Sequence, residues 1–225
     1  MDFERGIKFS RLMSGLFSLF AGPTFLYTAY AYFVIILLAA AQDSLSGEIA
    51  TLLVFYCLFT TAVAVLLGVF GAFLMMNYYT DQKKWAQNAM GMGYFGLLAI
   101  ASFFLLWSNY TETDALDWTT ASFEVIAFVC FGIATAIHYV PLKLPKKKIR
   151  LATSLLGSVI GIVTSIISIA AADGVWTEIV TYTLMLIVFL TFLLSNLIRI
   201  AEIRSTHESL EEDEAPEGGE SEEKA

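Results

Sequence analysis

The sequence predicts an all-α integral membrane protein, in which six transmembrane helices form a bundle and both chain termini lie in the cytoplasm. Three observations predict this fold: six long apolar segments, loops that alternate between basic and base-free, and tryptophans at the segment borders. The chain has 225 residues, of which 57% are hydrophobic. An average soluble protein is only about 45–50% apolar. Each segment has the roughly 20 residues that are needed to cross the hydrocarbon core of a bilayer.

The predicted spans follow one another with short loops and occupy a single membrane domain over residues 1–204. The first span contains Pro23, which removes a backbone donor and predicts a kink. Alternatively, the beginning of this segment forms a separate short helix at the interface. Pro141 ends the fourth span. The six spans cover about 14–41, 49–76, 86–107, 118–140, 149–171 and 176–198.

The positions of the basic residues predict the orientation. Every Lys and Arg falls at the N-terminus, in the second or fourth loop, or beyond the sixth span. The other three loops carry only acidic charges. Because basic residues in short loops mark the cytoplasmic side, we expect both termini inside. We also expect the membrane to be a prokaryotic cell membrane. The tryptophans lie at predicted water–lipid borders, where their amphipathic rings are favoured: Trp85, Trp107, Trp118 and Trp176.

The net charge of the chain comes from its C-terminus. The formal net charge is −8, and residues 205–225 hold nine acidic residues and one basic residue. The remainder of the chain is therefore neutral overall. Such an acidic segment with almost no apolar residues cannot offset its ordering entropy. It predicts a disordered cytoplasmic tail.

Small residues recur at steps of three and four along the second, third and fifth spans. Gly157 and Gly161 form a GxxxG pattern in the fifth span. Small residues on one helix face let two backbones approach closely in lipid. We therefore expect packing seams there, and association with a second copy of the chain or another subunit of a membrane complex. The glycines of the other two seams are Gly68, Gly71, Gly93 and Gly96.

Glu124 is the clearest ionisable residue inside a predicted span. It follows Trp118 by six residues, which places it about 9 Å below the outer edge of the membrane. A buried carboxylate is expensive, and by default it indicates a functional site that shares a proton or a cation. In the alternative interpretation, Glu124 reaches the interface or bonds a serine or threonine of a neighbouring helix.

His138 and Thr135 lie on the same helix face as Glu124. His138 follows Glu124 by fourteen residues, close to four turns. A polar entry and a polar exit on one face suit a proton or cation path. Phe128 and Phe131 make the middle of this face apolar, so His138 is alternatively an ordinary interfacial residue.

The fourth loop carries five bases within ten residues. Clustered bases beside a membrane attract anionic lipid headgroups, at about 1 kcal/mol each. They also serve simply to set the orientation. These bases are Lys143, Lys146, Lys147, Lys148 and Arg150.

Several classes of function are disfavoured. The spans contain no GxSxG or HExxH pattern and no paired aspartates, and the loops are too short to hold an external active site. We therefore expect no enzyme activity. Cys57 and Cys130 lie inside predicted spans without neighbouring ligands, so we expect free thiols, no metal and no cofactor. We expect the bilayer and its anionic headgroups as partners, and no nucleic acid.

Two functions remain. The first is a channel or transporter for a small ion or solute, with a cation or proton favoured by Glu124 and the acidic outer loops. The second is a non-transporting scaffold or subunit of a membrane complex, which uses the basic loop and the acidic tail as its cytoplasmic binding surface.

Overall fold

The computed structural model describes residues 3–41, 47–80, 85–108, 115–137, 139, 146–172 and 175–213. The described chain is all-helical. Its six helices are α1 (Phe3–Ala41), α2 (Gly47–Thr80), α3 (Ala86–Ser108), α4 (Ala115–Ala136), α5 (Lys146–Ala171) and α6 (Trp176–Asp213).

Five of these helices contain a segment long and apolar enough to cross a membrane. The five segments are Phe3–Ala41, Ala50–Met76, Asp117–Ala136, Lys146–Ala171 and Trp176–Ser205. Among the described residues, α3 contains no such segment. A sixth span at α3 therefore stays a prediction.

Some helix bounds differ from the predicted spans. The first helix is continuous from Phe3 to Ala41 with Pro23 inside it, so a separate short N-terminal helix is not found. The helix α4 ends at Ala136, four residues before the predicted end, and Tyr139 N–H donates to the Ala136 carbonyl in a turn (2.9 Å). This early end is consistent with Pro141, because proline disfavours helical geometry in the residue before it.

The helix α6 continues far beyond the predicted end of its span. It reaches Asp213, so residues 205–213 of the predicted disordered tail have a helical backbone. Glu208, Leu210, Glu211 and Glu212 of this stretch are among the better helix formers. Residues 214–225 lie outside the described ranges.

The helices alternate in direction around a closed ring. Each helix packs against its neighbours in the chain, and α6 packs against α1. We call the end where α1 begins and α6 ends the proximal end, and the opposite end the distal end. The contacts that fix these directions are Gly15–Gly71 and Gly22–Ala64 (α1–α2), Phe70–Trp85 and Phe55–Phe104 (α2–α3), Gly91–Phe131 and Ser102–Glu124 (α3–α4), Gly161–Phe189 and Ser154–Asn196 (α5–α6), and Gly6–Ile198 and Ser14–Thr191 (α1–α6).

The described basic residues all lie towards the proximal end, at the start of α1, the start of α5 and the end of α6. The remaining bases, Lys83, Lys84, Lys143 and Lys224, are outside the described ranges. This distribution leaves the distal half of the bundle without a positively charged side chain among the described residues. The two ends therefore differ in charge.

Candidate functional site in the bundle interior

Three layers of side chains lie along the axis of the ring. Residues seven apart share a helix face and are separated by about 10.5 Å along the axis. Three helices contribute to the layers in such seven-residue steps. These positions are Asn88, Phe95 and Ser102 of α3, Phe131 and Glu124 of α4, and Asn196, Phe189 and Tyr182 of α6.

The distal layer contains Glu124. Only 5% of this residue is exposed, and the Ser102 hydroxyl donates a hydrogen bond to its Oε2 (2.6 Å). Tyr182 and Tyr94 lie within electrostatic range of the carboxyl group. The carboxyl group of α4 therefore faces the ring interior, where it contacts a hydroxyl of α3. A hydrogen bond to a serine of a neighbouring helix is one of the alternatives that we considered for Glu124. The other alternative, in which Glu124 reaches the interface, does not agree with its burial.

The middle layer is aromatic. The ring centroid of Phe95 lies 6.0 Å from that of Phe131 and 5.2 Å from that of Phe189. Phe192 lies 5.8 Å from Phe189 and 6.2 Å from Phe131. All four side chains are fully buried. Aromatic pairs at such distances contribute about 0.5–1.5 kcal/mol beyond their area burial, so the four rings form a stable plug across the axis.

The proximal layer is a hydrogen-bonded polar cluster. Asn196 Nδ2 donates to Ser154 Oγ (3.0 Å), and Ser154 Oγ donates to Asn88 Oδ1 (2.7 Å). Ser158 completes the cluster, because its Oγ lies 3.4 Å from Asn196 Nδ2 and donates to the Ser154 carbonyl (2.7 Å). All four residues are buried. The cluster joins α3, α5 and α6, and it satisfies polar groups that would be costly if left alone.

Further buried polar groups adjoin the proximal layer. The Ser14 and Thr191 hydroxyl oxygens lie 2.7 Å apart between α1 and α6. Gln87 Nε2 donates to the Phe192 carbonyl (3.4 Å). Gln87 Oε1 and Ser195 Oγ are buried and make no hydrogen bond within the described part of the chain. Internal water is the usual partner of such groups.

The structure separates the residues of the predicted relay on α4. Thr135 Oγ1 donates to the Phe131 carbonyl of its own helix (2.8 Å), and it lies about 16 Å along the axis from Glu124. The fully buried ring of Phe131 lies between their levels. His138 lies outside the described residues. The structure therefore does not bring Glu124 and Thr135 into one site.

The predicted packing glycines occupy three kinds of position. At Gly157 an added Cβ would come within 2.9 Å of the Phe131 ring, and at Gly161 within 2.6 Å of the Phe189 ring. Gly96 similarly faces Phe128, and Gly93 faces Leu66. These glycines accept side chains from other helices, instead of bringing two backbones together as we expected.

Close backbone approach occurs between α1 and α2. An added Cβ at Gly71 would lie 3.0 Å from the Gly15 carbonyl oxygen, and one at Gly15 would lie 2.7 Å from the Gly71 oxygen. The tight approach that we expected at Gly68 is not found, because an added Cβ there would meet no described atom within 4 Å. The face of α2 thus packs through Gly71, one turn nearer the proximal end.

The predicted lipid-binding bases lie at the start of α5. Lys147 and Lys148 are exposed, whereas Lys146 and Arg150 are half-buried. Lys143 lies outside the described residues. Four positive charges at a helix N-terminus oppose the helix dipole, so this segment gains from a negatively charged environment.

Sequence reasoning missed most of the three layers. It identified Glu124, but it assigned no role to Asn88, Asn196, Ser102 or Tyr182. A signal was present, because polar residues recur at seven-residue steps around a phenylalanine on α3 and α6, as Glu124 and His138 do around Phe131 on α4.

The comparisons with known proteins give no relative for this architecture. No family model matches the chain, and no curated protein or solved structure matches it. The function is therefore inferred from the geometry of the bundle.

Proposed function

We propose that this protein is a membrane channel or transporter that moves a proton or a small cation along the axis of the six-helix ring. The observation that carries the proposal is the burial of Glu124 in the distal layer, where its partners among the described residues are neutral hydroxyl groups. Ionisable residues inside membrane bundles are expensive and are typical of ion and proton pathways.

The charge distribution supports a cationic species. All the bases of the chain are placed at the N-terminus, in the second and fourth connections or near the C-terminus. Within the described ranges, no Lys or Arg is therefore available to neutralise Glu124. A proton or an external cation supplies the missing charge, and this is the property that a transient binding site on a pathway needs.

The layers divide the pathway into two polar halves and one barrier. The proximal half contains the Asn88–Ser154–Asn196 cluster and the unsatisfied Gln87 and Ser195 oxygens, which favour internal water. The four phenylalanines of the middle layer exclude water. In this proposal the structure is a closed state, and conduction requires these rings to leave the axis.

Contacts with glycines indicate which rings of the middle layer can move. Phe131 lies against Gly91 of α3 and Gly157 of α5, and Phe189 lies against Gly161 of α5. Rings seated against glycine can slide without meeting a Cβ. We therefore propose Phe131 and Phe189 as the movable part of the barrier.

The experiment measures proton and cation flux into liposomes that contain the purified protein. We expect flux in the unaltered protein and its loss in Glu124→Gln, which keeps the shape and removes the charge. Asp117→Asn is the matched control, because it removes an exposed distal carboxylate of the same helix and should preserve flux.

Two results would contradict the transport proposal. One is equal flux in Glu124→Gln and the unaltered protein. The other is the absence of flux for protons and for several cations from a monodisperse preparation. Gel filtration and circular dichroism of each variant establish that the helical bundle is intact.

A second function is favoured by the proximal extension of α6. This helix continues to Asp213, and residues 201–205 are exposed, including Ile203. We propose as the alternative that the extension and the α5 bases form a cytoplasmic docking surface for a partner subunit. Loss of partner capture on truncation after Ser205, together with absent flux, would support this alternative.

The membrane placement belongs to the same proposal. Both termini and the basic residues face the cytoplasm, Lys146, Lys147, Lys148 and Arg150 contact anionic headgroups, and α3 is the sixth span. We propose no catalytic activity and a prokaryotic cell membrane as the location. Exposed aromatic side chains such as Phe20, Tyr30 and Phe103 leave the outer surface of the ring available to a second copy.

A further inference from the structure

A cavity opens in the distal half of the ring, beside the distal layer, with which it shares Tyr182. Helices α1, α2 and α6 supply most of its walls, and α3 supplies one residue. Its volume is about 70 Å³, far below the roughly 300–1,000 Å³ of sites for drug-sized molecules. An occupant therefore has only a few heavy atoms.

Five aromatic rings and one carboxylate surround this cavity. The rings come from Phe25 and Tyr32 of α1, Tyr56 and Phe59 of α2, and Tyr182 of α6, and the carboxylate is that of Glu178. Tyr32 and Tyr56 stack with their centroids 5.4 Å apart. Three separate helices thus bring aromatic surfaces to one carboxylate.

Glu178 has no cationic partner in the part of the chain that the structure describes. Among the described residues it forms no ion pair and accepts no side-chain hydrogen bond, and the connections at the distal end contain no Lys or Arg anywhere in the sequence. Its position in the first turn of α6 suits a negative charge, because the helix dipole is positive there. The dipole does not explain why three tyrosines lie within electrostatic range of the carboxylate.

The chemistry of the walls selects among cations. Aromatic faces attract a cation through their quadrupole, by about 0.5–1 kcal/mol at exposed sites and 2 kcal/mol or more when desolvated. A strongly hydrated metal ion gains less here, because one carboxylate and the neutral hydroxyl groups of threonines and tyrosines are its only oxygen ligands in the described lining, and Leu98 and the two phenylalanines cannot replace its water. An alkylated ammonium group is weakly hydrated and uses both the rings and the carboxylate.

We propose that the distal cavity is a binding site for a small organic ammonium cation, held by Glu178 and the aromatic faces of Tyr32, Tyr56 and Tyr182. The ammonium group belongs either to a free solute or to the headgroup of a membrane lipid. This site goes beyond the proposed function, since a cation binds there whether or not the ring transports anything.

The experiment titrates tetramethylammonium into the full-length protein in a maltoside detergent, which carries no ammonium group. Saturation-transfer NMR on the methyl protons reports binding, and NaCl at equal concentration is the competitor. We expect binding that Na⁺ at equal concentration does not displace. Glu178→Gln should weaken affinity about tenfold, and Tyr56→Leu about three- to tenfold.

Matched variants separate the cavity from the rest of the distal surface. Tyr56→Phe keeps the ring and should keep the affinity, even if Tyr56→Leu destabilises the bundle. Asp117→Asn removes an exposed distal carboxylate outside the cavity, and Tyr30→Leu removes a lipid-facing ring of α1. Both should bind like the unaltered protein.

The same titration in lipid nanodiscs identifies the source of the ammonium group. Weaker binding in phosphatidylcholine than in phosphatidylglycerol discs would assign the site to a lipid headgroup, and equal binding would assign it to a free solute. Equal affinity in Glu178→Gln and the unaltered protein, or no saturable binding in any preparation, would overturn the proposal.

The titration also distinguishes this site from the transport pathway. Glu124→Gln should retain tetramethylammonium binding while it loses flux. Binding without flux in the unaltered protein would leave the cavity in place and contradict transport. Flux without binding would contradict only the cavity.

Discussion

At the scale of single residues, the interior of the bundle depends on how buried polar groups are paired. Glu124 has a hydroxyl donor from another helix, at 2.6 Å, and Asn196 has two serines. A hydrogen bond to a charged group contributes about 1.5–3 kcal/mol, and leaving its buried partner unsatisfied costs more than the bond itself gains. These pairs therefore contribute to stability as well as to any pathway.

Ser102→Ala should destabilise the protein by about 1–3 kcal/mol, because it leaves the Glu124 carboxyl group without its hydroxyl donor. Equilibrium unfolding in mixed micelles, followed by circular dichroism, measures the loss. In a Glu124→Leu background the same substitution should cost less than about 0.5 kcal/mol, since no buried carboxyl group remains.

Ser122→Ala is the control for this double-mutant cycle. Ser122 is exposed on the same helix as Glu124, and its hydroxyl bonds only the Trp118 carbonyl of that helix (2.8 Å). Its replacement should change the free energy of unfolding little. Equal losses for Ser102→Ala and Ser122→Ala would contradict the pairing of Ser102 with Glu124.

At the scale of helices, glycines of one helix provide the space into which aromatic rings of another helix pack. The GxxxG of α5 faces Phe131 and Phe189, so its small residues make room for the aromatic layer. The α1–α2 pair packs differently, through the backbones at Gly15 and Gly71. The same small-residue pattern in sequence thus serves two kinds of contact, depending on what the opposing helix presents.

Gly161→Ala should destabilise the protein by about 1–3 kcal/mol, because the new Cβ would lie 2.6 Å from the Phe189 ring and would overpack the interior. Gly68→Ala is the matched control, since a Cβ there meets open space. It should be neutral or stabilising by up to about 1 kcal/mol, because alanine favours the helix.

A rescue variant identifies the opposing ring. Adding Phe189→Leu to Gly161→Ala should recover part of the lost stability, because the smaller side chain leaves space for the methyl group. Thermal unfolding in one detergent compares the unaltered protein, Gly161→Ala, Gly68→Ala and the double variant. Equal destabilisation by Gly161→Ala and Gly68→Ala would show that helix propensity, and not the ring contact, decides the outcome.

At the scale of the whole molecule, the two ends of the ring differ in charge. The described bases lie at the proximal end, whereas Glu178 and Asp117 lie at the distal end. Because basic segments remain on the cytoplasmic side during insertion, this polarity predicts one orientation in the membrane. The proposed cation binding at Glu178 would then face outward.

Cysteine labelling tests this orientation. In a background without Cys57 and Cys130, we expect a cysteine at Asp114 to react with an impermeant maleimide from outside intact cells. A cysteine at Lys147 should react only after the membrane is opened. The reverse pattern of labelling would contradict the predicted orientation and would place the distal cavity inside.

Some predicted span ends coincide with the helix ends of the structure, and others do not. The predicted start of α3 at residue 86, start of α6 at 176 and end of α5 at 171 agree with the structure, because polar and apolar residues change sharply there. The helix α6 continues fifteen residues beyond the predicted end of its span at residue 198, because hydropathy marks the apolar span and not the end of the helix.

The sequence by itself determined that the described part of the chain is all-helical with six helices, because hydropathy and length depend only on local composition. It predicted six membrane spans, and five of the described helices are long and apolar enough to be such spans. Only the tertiary structure decided that Ser102 meets Glu124, that Asn88 meets Ser154, and that five aromatic rings line one cavity with Glu178. These contacts join helices far apart in the chain, and the periodicity of one helix defines a face without defining the helix that faces it.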